Sequence, residues 1–398
     1  MKFRTIQEIP LKGKRVLIRV DFNVPINEIG QIMDDSRIIQ ALPTIKFVVD
    51  QGGSAILMSH LGNPGGRRVA ELSLAPVAKR LSEFLNKNVA MAPDCIGQPV
   101  EKMIAKLMPG EILLLENLRF HIGEEKPEEN PDFVDKLSRL SDIYINDAFG
   151  SAHRKHASTY YIAEKIPIVA AGFLIEKEVL VLSNLLTQAQ SPVYAIIGGS
   201  KISSKIGALE SLLNKIDGLL IGGAMVFTFM KALNIPVGNS LVDDAHIDTA
   251  KQLMKKCRAK NIDFHLPVDI VITDSLSCNA HTSVALVSDG IEGGWIGADI
   301  GQQTVEEWSK FLKKANTIFW NGPLGVFELE QFSHGTEEIA KIIANSYAMS
   351  IVGGGDSVAA INKLKLSQKF THISTGGGAT LEFIEHGTLS ALKLLSKK

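Results

Sequence analysis

Three short glycine clusters in the second half of the chain, each set directly after an apolar run, constrain its fold more than any other feature. They are Gly198-Gly199-Ser200-Lys201, Gly353-Gly354-Gly355-Asp356 and Gly376-Gly377-Gly378. The runs before them, 193–197, 350–352 and 371–373, read as buried strands, and a helical pattern follows each cluster. Strand, glycine turn and helix start in succession make an anion pocket in an α/β protein. Glycine lets the backbone approach the anion, and the free N–H groups of the first helical turn point at it. With Lys201, Lys205 and Asp356 attached, the three turns point to nucleotide phosphates and a divalent cation.

The same theme runs through the whole chain. In the first half, 16–20, 55–58, 112–115 and 143–145 are near-continuous apolar runs, as suits parallel strands covered on both faces. In the second half, strands are also predicted at 219–221, 268–272 and 317–319. Between the first two strands, Ile38, Leu42, Ile45 and Val49 recur at helical spacing. Ser36 is placed to cap this helix and Gly52-Gly53 to end it, with a kink or imperfect turn at Pro43. A second helix is predicted from Ser73, and others at 247–256 and 305–313. A chain of 398 residues exceeds one ordinary core. The predicted architecture is therefore α/β, two doubly wound, Rossmann-like parallel-sheet domains joined by a helix hinge. The joining helix is read at 173–190, giving units of 1–172 and 191–378.

Composition narrows the partners. Hydrophobic residues make up 45% and charged residues 21%, enough to bury two large cores. The net charge of −1 offers nothing global to nucleic acid or an acidic membrane, so any anion site must be local. Aromatic residues, 6% of the chain, are not interleaved with basic ones, which also argues against nucleic acid. No run approaches about 18 apolar residues, so no membrane span is expected. Cys95, Cys257 and Cys278 form no CxxC and are odd in number; neither disulfides nor a structural zinc site is expected. With no signal-type apolar stretch after 1–5, a cytoplasmic location is the expectation.

Lys201 and Lys205, four apart, fall on one face of a helix if it starts near Ser200. Cations there oppose the helix dipole unless an anion is bound; the bland alternative is a solvated lysine face. Asp356 suits Mg²⁺ on a nucleotide, or a plain N-cap. The Gly376–Gly378 amides suit a transferring phosphoryl group, or a turn and no more. Asn321-Gly322-Pro323-Leu324-Gly325 is a rigid strand-end loop able to wrap a base. Glu328 beyond it is placed for ribose hydroxyls, or is a surface carboxylate. Neither GxxxxGK[ST] nor GxGxxG occurs, which removes the P-loop and dehydrogenase fingerprints.

In the first half, polar residues gather where strands end: Arg19, Asp21, Phe22 and Asn23 after the first, His60 after the second, Arg119 after the third, and His153 and Arg154 after the fourth. Arg37 opens the first helix. In a parallel sheet these positions share one rim, and arginine forks suit phosphate and carboxylate. Surface ion pairs and structural histidines are the alternatives. The acidic stretch 124–132 reads as a solvated loop. A dehydrogenase of doubly wound class, or a non-catalytic phosphate binder, remains a rival reading.

The ordered motifs resemble the phosphoglycerate kinase family over nearly the whole chain. They include Arg19-Val20-Asp21-Phe22-Asn23-Val24-Pro25, Ser59-His60-Leu61-Gly62, Leu115-Glu116-Asn117-Leu118-Arg119-Phe120, Asn146-Asp147-Ala148-Phe149-Gly150, Ala152-His153-Arg154 and Trp320-Asn321-Gly322-Pro323. The glycine clusters, with Gly325-Val326-Phe327-Glu328 and Ser374-Thr375 before Gly376, complete the set.

The resemblance implies reversible phosphoryl transfer between 1,3-bisphosphoglycerate and ADP, giving 3-phosphoglycerate and ATP, in a monomer that closes about its hinge. It implies a phosphoglycerate site of Asp21, Phe22, Asn23, Arg37, His60, Leu61, Gly62, Asn63, Arg119 and Arg154. It implies a Mg²⁺-nucleotide site of Lys201, Lys205, Gly222, Gly223, Gly297, Asn321, Glu328, Gly354, Gly355, Asp356 and Ser357, with Asp356 holding the metal. Arg37, Lys201, Lys205, Gly376, Gly377 and Gly378 would meet the transferring group, and no general base is assigned. The segment 379–398 would return to the N-terminal domain. Three positions depart from the family's pattern. Asn63 stands where arginine is usual, and Arg67 or Arg68 is the expected substitute. Ser204 replaces a common aspartate, and 299–302 lacks a usual proline.

Overall fold

The computed structural model describes residues 3–395. Its chain divides into two compact units, one made of residues 1–180 with 388–398 and the other of 181–387. The sequence places these boundaries at 172/173, 190/191 and 378/379.

The first unit is built on strands β1 (Arg15–Arg19), β2 (Ser54–Met58), β3 (Val89–Met91), β4 (Ile112–Leu114), β5 (Ile143–Asn146) and β6 (Val169–Ala171). They form one sheet in the order β3-β4-β2-β1-β5-β6, every pair parallel. Every residue of β2 and all but the first of β1 are buried, as apolar strands with helices on both faces require. Helices α1 (Ser36–Asp50), α2 (Ala75–Leu85), α3 (Gln98–Ile104), α4 (Pro131–Ser138) and α5 (Ile162–Lys165) lie between them, and α6 (Phe173–Gln188) follows. Ile38, Ile45 and Val48 of α1 and Val77 and Leu81 of α2 pack into the same core as Val16, Ile18 and Leu57.

Ser36 is the first residue of α1 and not its cap. Its N–H donates to Asp34 Oδ1 at 2.8 Å, and Asp35 is the N-cap residue. The helix continues through Pro43, which leaves the Ile39 carbonyl without its helical donor. Gly52, at φ +75°, ends it as predicted.

The second unit holds β7 (Val193–Ile197), β8 (Gly218–Ile221), β9 (Asp263–His265), β10 (Asp269–Thr273), β11 (Thr282–Leu286), β12 (Ile296–Ile300), β13 (Thr317–Asn321), β14 (Met349–Gly353) and β15 (His372–Ile373). Six of them make a second parallel sheet, β15-β14-β13-β7-β8-β9. Its helices are α7 (Ile206–Leu212), α8 (Met225–Ala232), α9 (Ile247–Ala259), α10 (Gln302–Leu312), α11 (His334–Ala344), α12 (Gly355–Lys363) and α13 (Gly378–His386). Trp308, Trp320 and Ile339 anchor the core here. The run at 268–272 forms β10, but in a separate antiparallel sheet, β11-β10-β12. Two of its three strands went unpredicted: β11 is largely exposed despite its short apolar run, and Gly297 and Asp299 interrupt the apolar residues of β12.

The last helix, α14 (Ser390–Leu395), belongs to the first unit. Its Ala391 N–H donates to the Ala152 carbonyl at 3.0 Å.

In both sheets the chain reverses its winding direction beside a central strand: β1 lies between β2 and β5, and β7 between β13 and β8. Ligands of open α/β sheets bind outside the carboxyl ends of strands at such reversals.

Candidate active site

At the carboxyl end of β1 the chain turns through Asp21 and Asn23, and a run of contacts ties the predicted rim together. Arg37, second residue of α1, donates from Nη1 to Asp21 Oδ2 at 2.7 Å. Asp21 Oδ1 accepts from the Asn23 N–H at 3.1 Å, and Asn23 Oδ1 accepts from the Gly62 N–H at 2.9 Å. Arg119 Nη1 donates to the Gly62 carbonyl at 2.9 Å and to Asn63 Oδ1. Its Nη2 meets Glu125 at 3.1 Å. Its Nε is buried and has no partner among the described residues, an unsatisfied cationic N–H of the kind an anion satisfies. Asn117 Oδ1 accepts from the Leu61 N–H at 3.2 Å and the Arg119 N–H at 3.1 Å, fixing both loops. Phe22 is fully buried, its N–H donating to Ser59 Oγ at 2.8 Å.

His60 Nδ1 lies 3.1 Å from Arg19 Nη2. Arginine only donates, so Nδ1 accepts and this imidazole is neutral. Burial, reinforced by Arg19, Arg119 and Arg37 against Asp21, holds His60 well below the usual histidine range. Burial also takes His156 down to about 3, helped by Arg119, Arg19 and Arg154. Arg154 is exposed, and its field acts on Arg119.

One rim expectation and one loop expectation fail. Arg19 is buried, and its Nε donates to Ser158 Oγ at 2.8 Å. Glu124 is not solvated but fully buried. It accepts from Ser158 Oγ at 2.6 Å and the Ser158 N–H at 3.1 Å. A cation and a carboxylate inside the unit pair through one hydroxyl, as buried charges must.

In the second unit, a cavity of about 300 Å³ opens beside the ends of β7 and β13. Val226 and Phe227 of α8, Pro267, Ile270 and Leu324 give it apolar walls, and Gly223, Gly297, Glu328 and Asp356 lie on its margin. Gly222 is next in the same turn, where a side chain would strike Leu324. Asp299 is buried in the wall; burial pushes its carboxyl up to about 8, and its Oδ2 accepts from the Gly335 N–H at 2.7 Å.

Three strand ends meet through bare backbone here. A side chain at Gly198 would collide with the Pro323 carbonyl, one at Gly223 with the Gly199 backbone, and one at Gly322 with the Gly198 carbonyl. The Gly322 N–H donates to Ser357 Oγ at 2.7 Å. Gly354, at φ +98°, is the N-cap residue of α12, which places Asp356 in its first turn, exposed beside Gly355. Gly377 is the N-cap residue of α13. The Gly376 N–H donates to Ser374 Oγ at 3.1 Å. Thr380 lies against Gly353, so the Gly376–Gly378 turn adjoins the Gly353–Gly355 turn.

The lysines do not share a helical face. Residues 200–205 form a bend and turn that buries Ile202, and α7 starts only at Ile206. Burying that side chain beside two glycines takes a turn. Lys201 is exposed. Lys205 folds inward, its Nζ donating to the Asn321 carbonyl at 3.1 Å and to Asn321 Oδ1. Burial lowers its pKa to about 8, with Asp356 opposing. Asn321 Nδ2 is buried without a partner among the described residues and faces Gly353 and Gly354.

The sequence did not single out Val226, Phe227, Pro267, Ile270 or Asp299. The first two sit just beyond the Gly222-Gly223 doublet, which was a usable signal. Pro267 precedes and Ile270 lies within the predicted run 268–272, and Asp299 lies in β12, but no sequence signal placed the antiparallel sheet beside the glycine turns.

One sheet edge lined with arginines and a second combining glycine turns, a buried lysine and a nucleoside-sized cavity define a phosphotransferase with two anionic substrates. The sequence profile for phosphoglycerate kinase matches residues 6–387. The phosphoglycerate kinase of Chlorobium phaeobacteroides is 52% identical over all of both chains. That of Thermosipho africanus is 48% identical over all of this chain and 99% of its own. Among solved structures, phosphoglycerate kinase from Coxiella burnetii aligns at 41% identity and a TM-score of 0.84, and that from Pyrococcus horikoshii at 32% and 0.85. Both alignments cover 99% of this chain and 98% of the other. The chain belongs to the phosphoglycerate kinase family and is an enzyme of its reaction, reversible phosphoryl transfer between 1,3-bisphosphoglycerate and ADP. No described helix is long and apolar enough to cross a membrane.

Proposed function

We propose that phosphoglycerate binds the first unit through Arg37, Arg119 and Arg154, with Asp21, Phe22, Asn23, His60, Leu61, Gly62 and Asn63 shaping the pocket. The observation that carries this is Arg119: a buried guanidinium with one N–H unspent on a rim whose histidines are held neutral by burial and, secondarily, by the surrounding arginines. Such a rim has a net demand for negative charge.

In the second unit the cavity takes the nucleoside, with Glu328 at the ribose and Gly222, Gly223 and Gly297 against its faces. The phosphates run toward Lys201, Lys205, Gly354, Gly355 and Ser357. A divalent cation fits here: Asp356 is one exposed carboxylate on a helical first turn, and Mg²⁺ takes one or two carboxylates with phosphate oxygens and water. Bound there, Mg²⁺ would neutralise nucleotide charge. The partnerless Asn321 amide beside Gly354 supports an anion at the same turn.

The attacking oxygen is already anionic in either direction, so no side chain need remove a proton. What remains is positioning and charge stabilisation. Arg37 meets the transferring group from the phosphoglycerate side, and Lys201, Lys205 and the Gly376–Gly378 turn from the nucleotide side. An acyl phosphate is hydrolysable, so domain closure that excludes water belongs to the same proposal. A monomeric, cytoplasmic enzyme is the corresponding reading. The deciding measurement is coupled ATP formation from 1,3-bisphosphoglycerate and ADP with wild type, Arg119→Ala and Lys205→Ala. Full activity in both variants would reject the residue assignments.

A further inference from the structure

The loop after β3 and the turn after β4 bring together three donor groups that the kinase reaction does not use. Asp94 and Cys95 follow β3 in sequence, and His121 follows the turn Leu118–Phe120. One ligand atom from each lies within 4.8 Å of the other two. Among the described residues no other set of three histidine, cysteine or acidic side chains converges in this way. His121 Nε2 lies 2.7 Å from Asp94 Oδ1, and the His121 ring stacks on Phe133 at a centroid distance of 5.3 Å, which fixes its plane. Cys95 is fully buried, while the side chains of His121 and Asp94 retain 30% and 36% exposure. The cluster thus sets a buried thiol next to a partly exposed imidazole and carboxylate.

We propose that Asp94, Cys95 and His121 bind a borderline-soft divalent cation, Zn²⁺ above all. One thiolate, one imidazole and one carboxylate make a three-ligand set that leaves a fourth tetrahedral position for water. Hard, water-loving Mg²⁺ is disfavoured by the thiolate, so this site is chemically distinct from that at Asp356. Tetrahedral bonds of ordinary length put donor atoms about 3.3–3.8 Å apart. The Asp94–His121 hydrogen bond, and the bond of 2.7 Å from the Cys95 N–H to the same Oδ1, therefore open as the metal enters, by rotation of the partly exposed Asp94. The thiol proton of Cys95 passes to buffer, one proton released per metal bound. A single cysteine next to an aspartate, with its histidine well downstream, carries no spacing signature, which is why the sequence shows no metal site.

Co²⁺ titration of the full chain tests this, read by the thiolate-to-cobalt charge-transfer band, with Zn²⁺ added to displace it. A one-to-one endpoint is expected. The band should be absent in Cys95→Ser and kept in Cys278→Ser, which removes the exposed thiol. His121→Gln, at a partly exposed position, should bind Zn²⁺ at least tenfold more weakly in chelator competition and lose the Zn²⁺-dependent rise in Tm. The proposal is overturned if wild type shows no band, if the band follows Cys278, or if a folded His121→Gln binds Zn²⁺ as wild type does.

Discussion

The Arg37 guanidinium lies 2.7 Å from the Asp21 carboxylate, so the arginine assigned to the transferring group is held by a protein anion before any substrate arrives. Burial drives the Asp21 carboxyl up, but Arg37, with Arg19 and the Asn23 N–H, outweighs it and holds Asp21 below the usual carboxylate range. A folded-state value below the unfolded one stabilises the protein above the ordinary carboxylate pKa of about 3.9, and that stability is lost as pH falls through the folded value. Asp21→Asn should therefore flatten the loss of stability below about pH 4. Denaturant midpoints measured across that range check it; parallel curves for variant and wild type would exclude Asp21 as a contributor.

Lys205→Ala should raise the barrier by about 2–4 kcal/mol, seen in kcat far more than in KM. With its pKa lowered to about 8, Lys205 loses its charge above that pH in the free enzyme. We expect an alkaline limb in kcat/KM near 8 that disappears in Lys205→Arg. The unfolded chain holds the proton up to about 10.5, so stability should rise with pH between these values. A kcat equal to wild type in Lys205→Ala would end the assignment.

Asp356→Ala should weaken Mg²⁺-nucleotide binding while leaving the affinity for metal-free nucleotide nearly unchanged. Titration calorimetry with and without chelator separates the two. Wild-type Mg²⁺-nucleotide affinity in the variant would remove Asp356 from the metal.

Arg68 is already engaged, donating to the Pro93 carbonyl at 2.9 Å and lying 3.7 Å from Glu116. Arg67 is exposed on the same loop and is the better source of the charge absent at Asn63. Arg67→Ala should raise KM for phosphoglycerate several-fold, and Arg68→Ala should not. An unchanged KM in the double variant would show that Asn63 needs no substitute.

Ser158→Ala should destabilise the first unit by about 1–3 kcal/mol, because it strands Arg19 Nε and Glu124 without the hydroxyl between them. Urea unfolding measures this directly. A change below about 0.5 kcal/mol, the range of ordinary surface substitutions, would mean water replaces the hydroxyl.

Both parallel sheets could be read from the sequence because their strands are apolar runs ended by glycine or polar turns; 193–197 emerges with the predicted bounds. The short edge strands β3, β6 and β9 were missed, since three residues show no period. The rim was legible in its residue types but not in its depth. Arg19 and Asp21 look alike in sequence, yet one turns into the core and the other faces Arg37. Lys201 and Lys205 misled through their spacing: burial of Ile202 outweighed helical periodicity. Glu124 shows the limit most plainly, because an acidic stretch does not reveal which of its members finds a hydroxyl and a cation inside the unit.

Backbone touching backbone at Gly198, Gly223 and Gly322 leaves these positions no mutational freedom. In a saturation library selected for turnover, all three columns should be nearly empty of anything but the parent residue. Retuning this enzyme for another nucleotide must therefore begin with the apolar walls of the cavity, where volume can be exchanged, and not with the cradle itself.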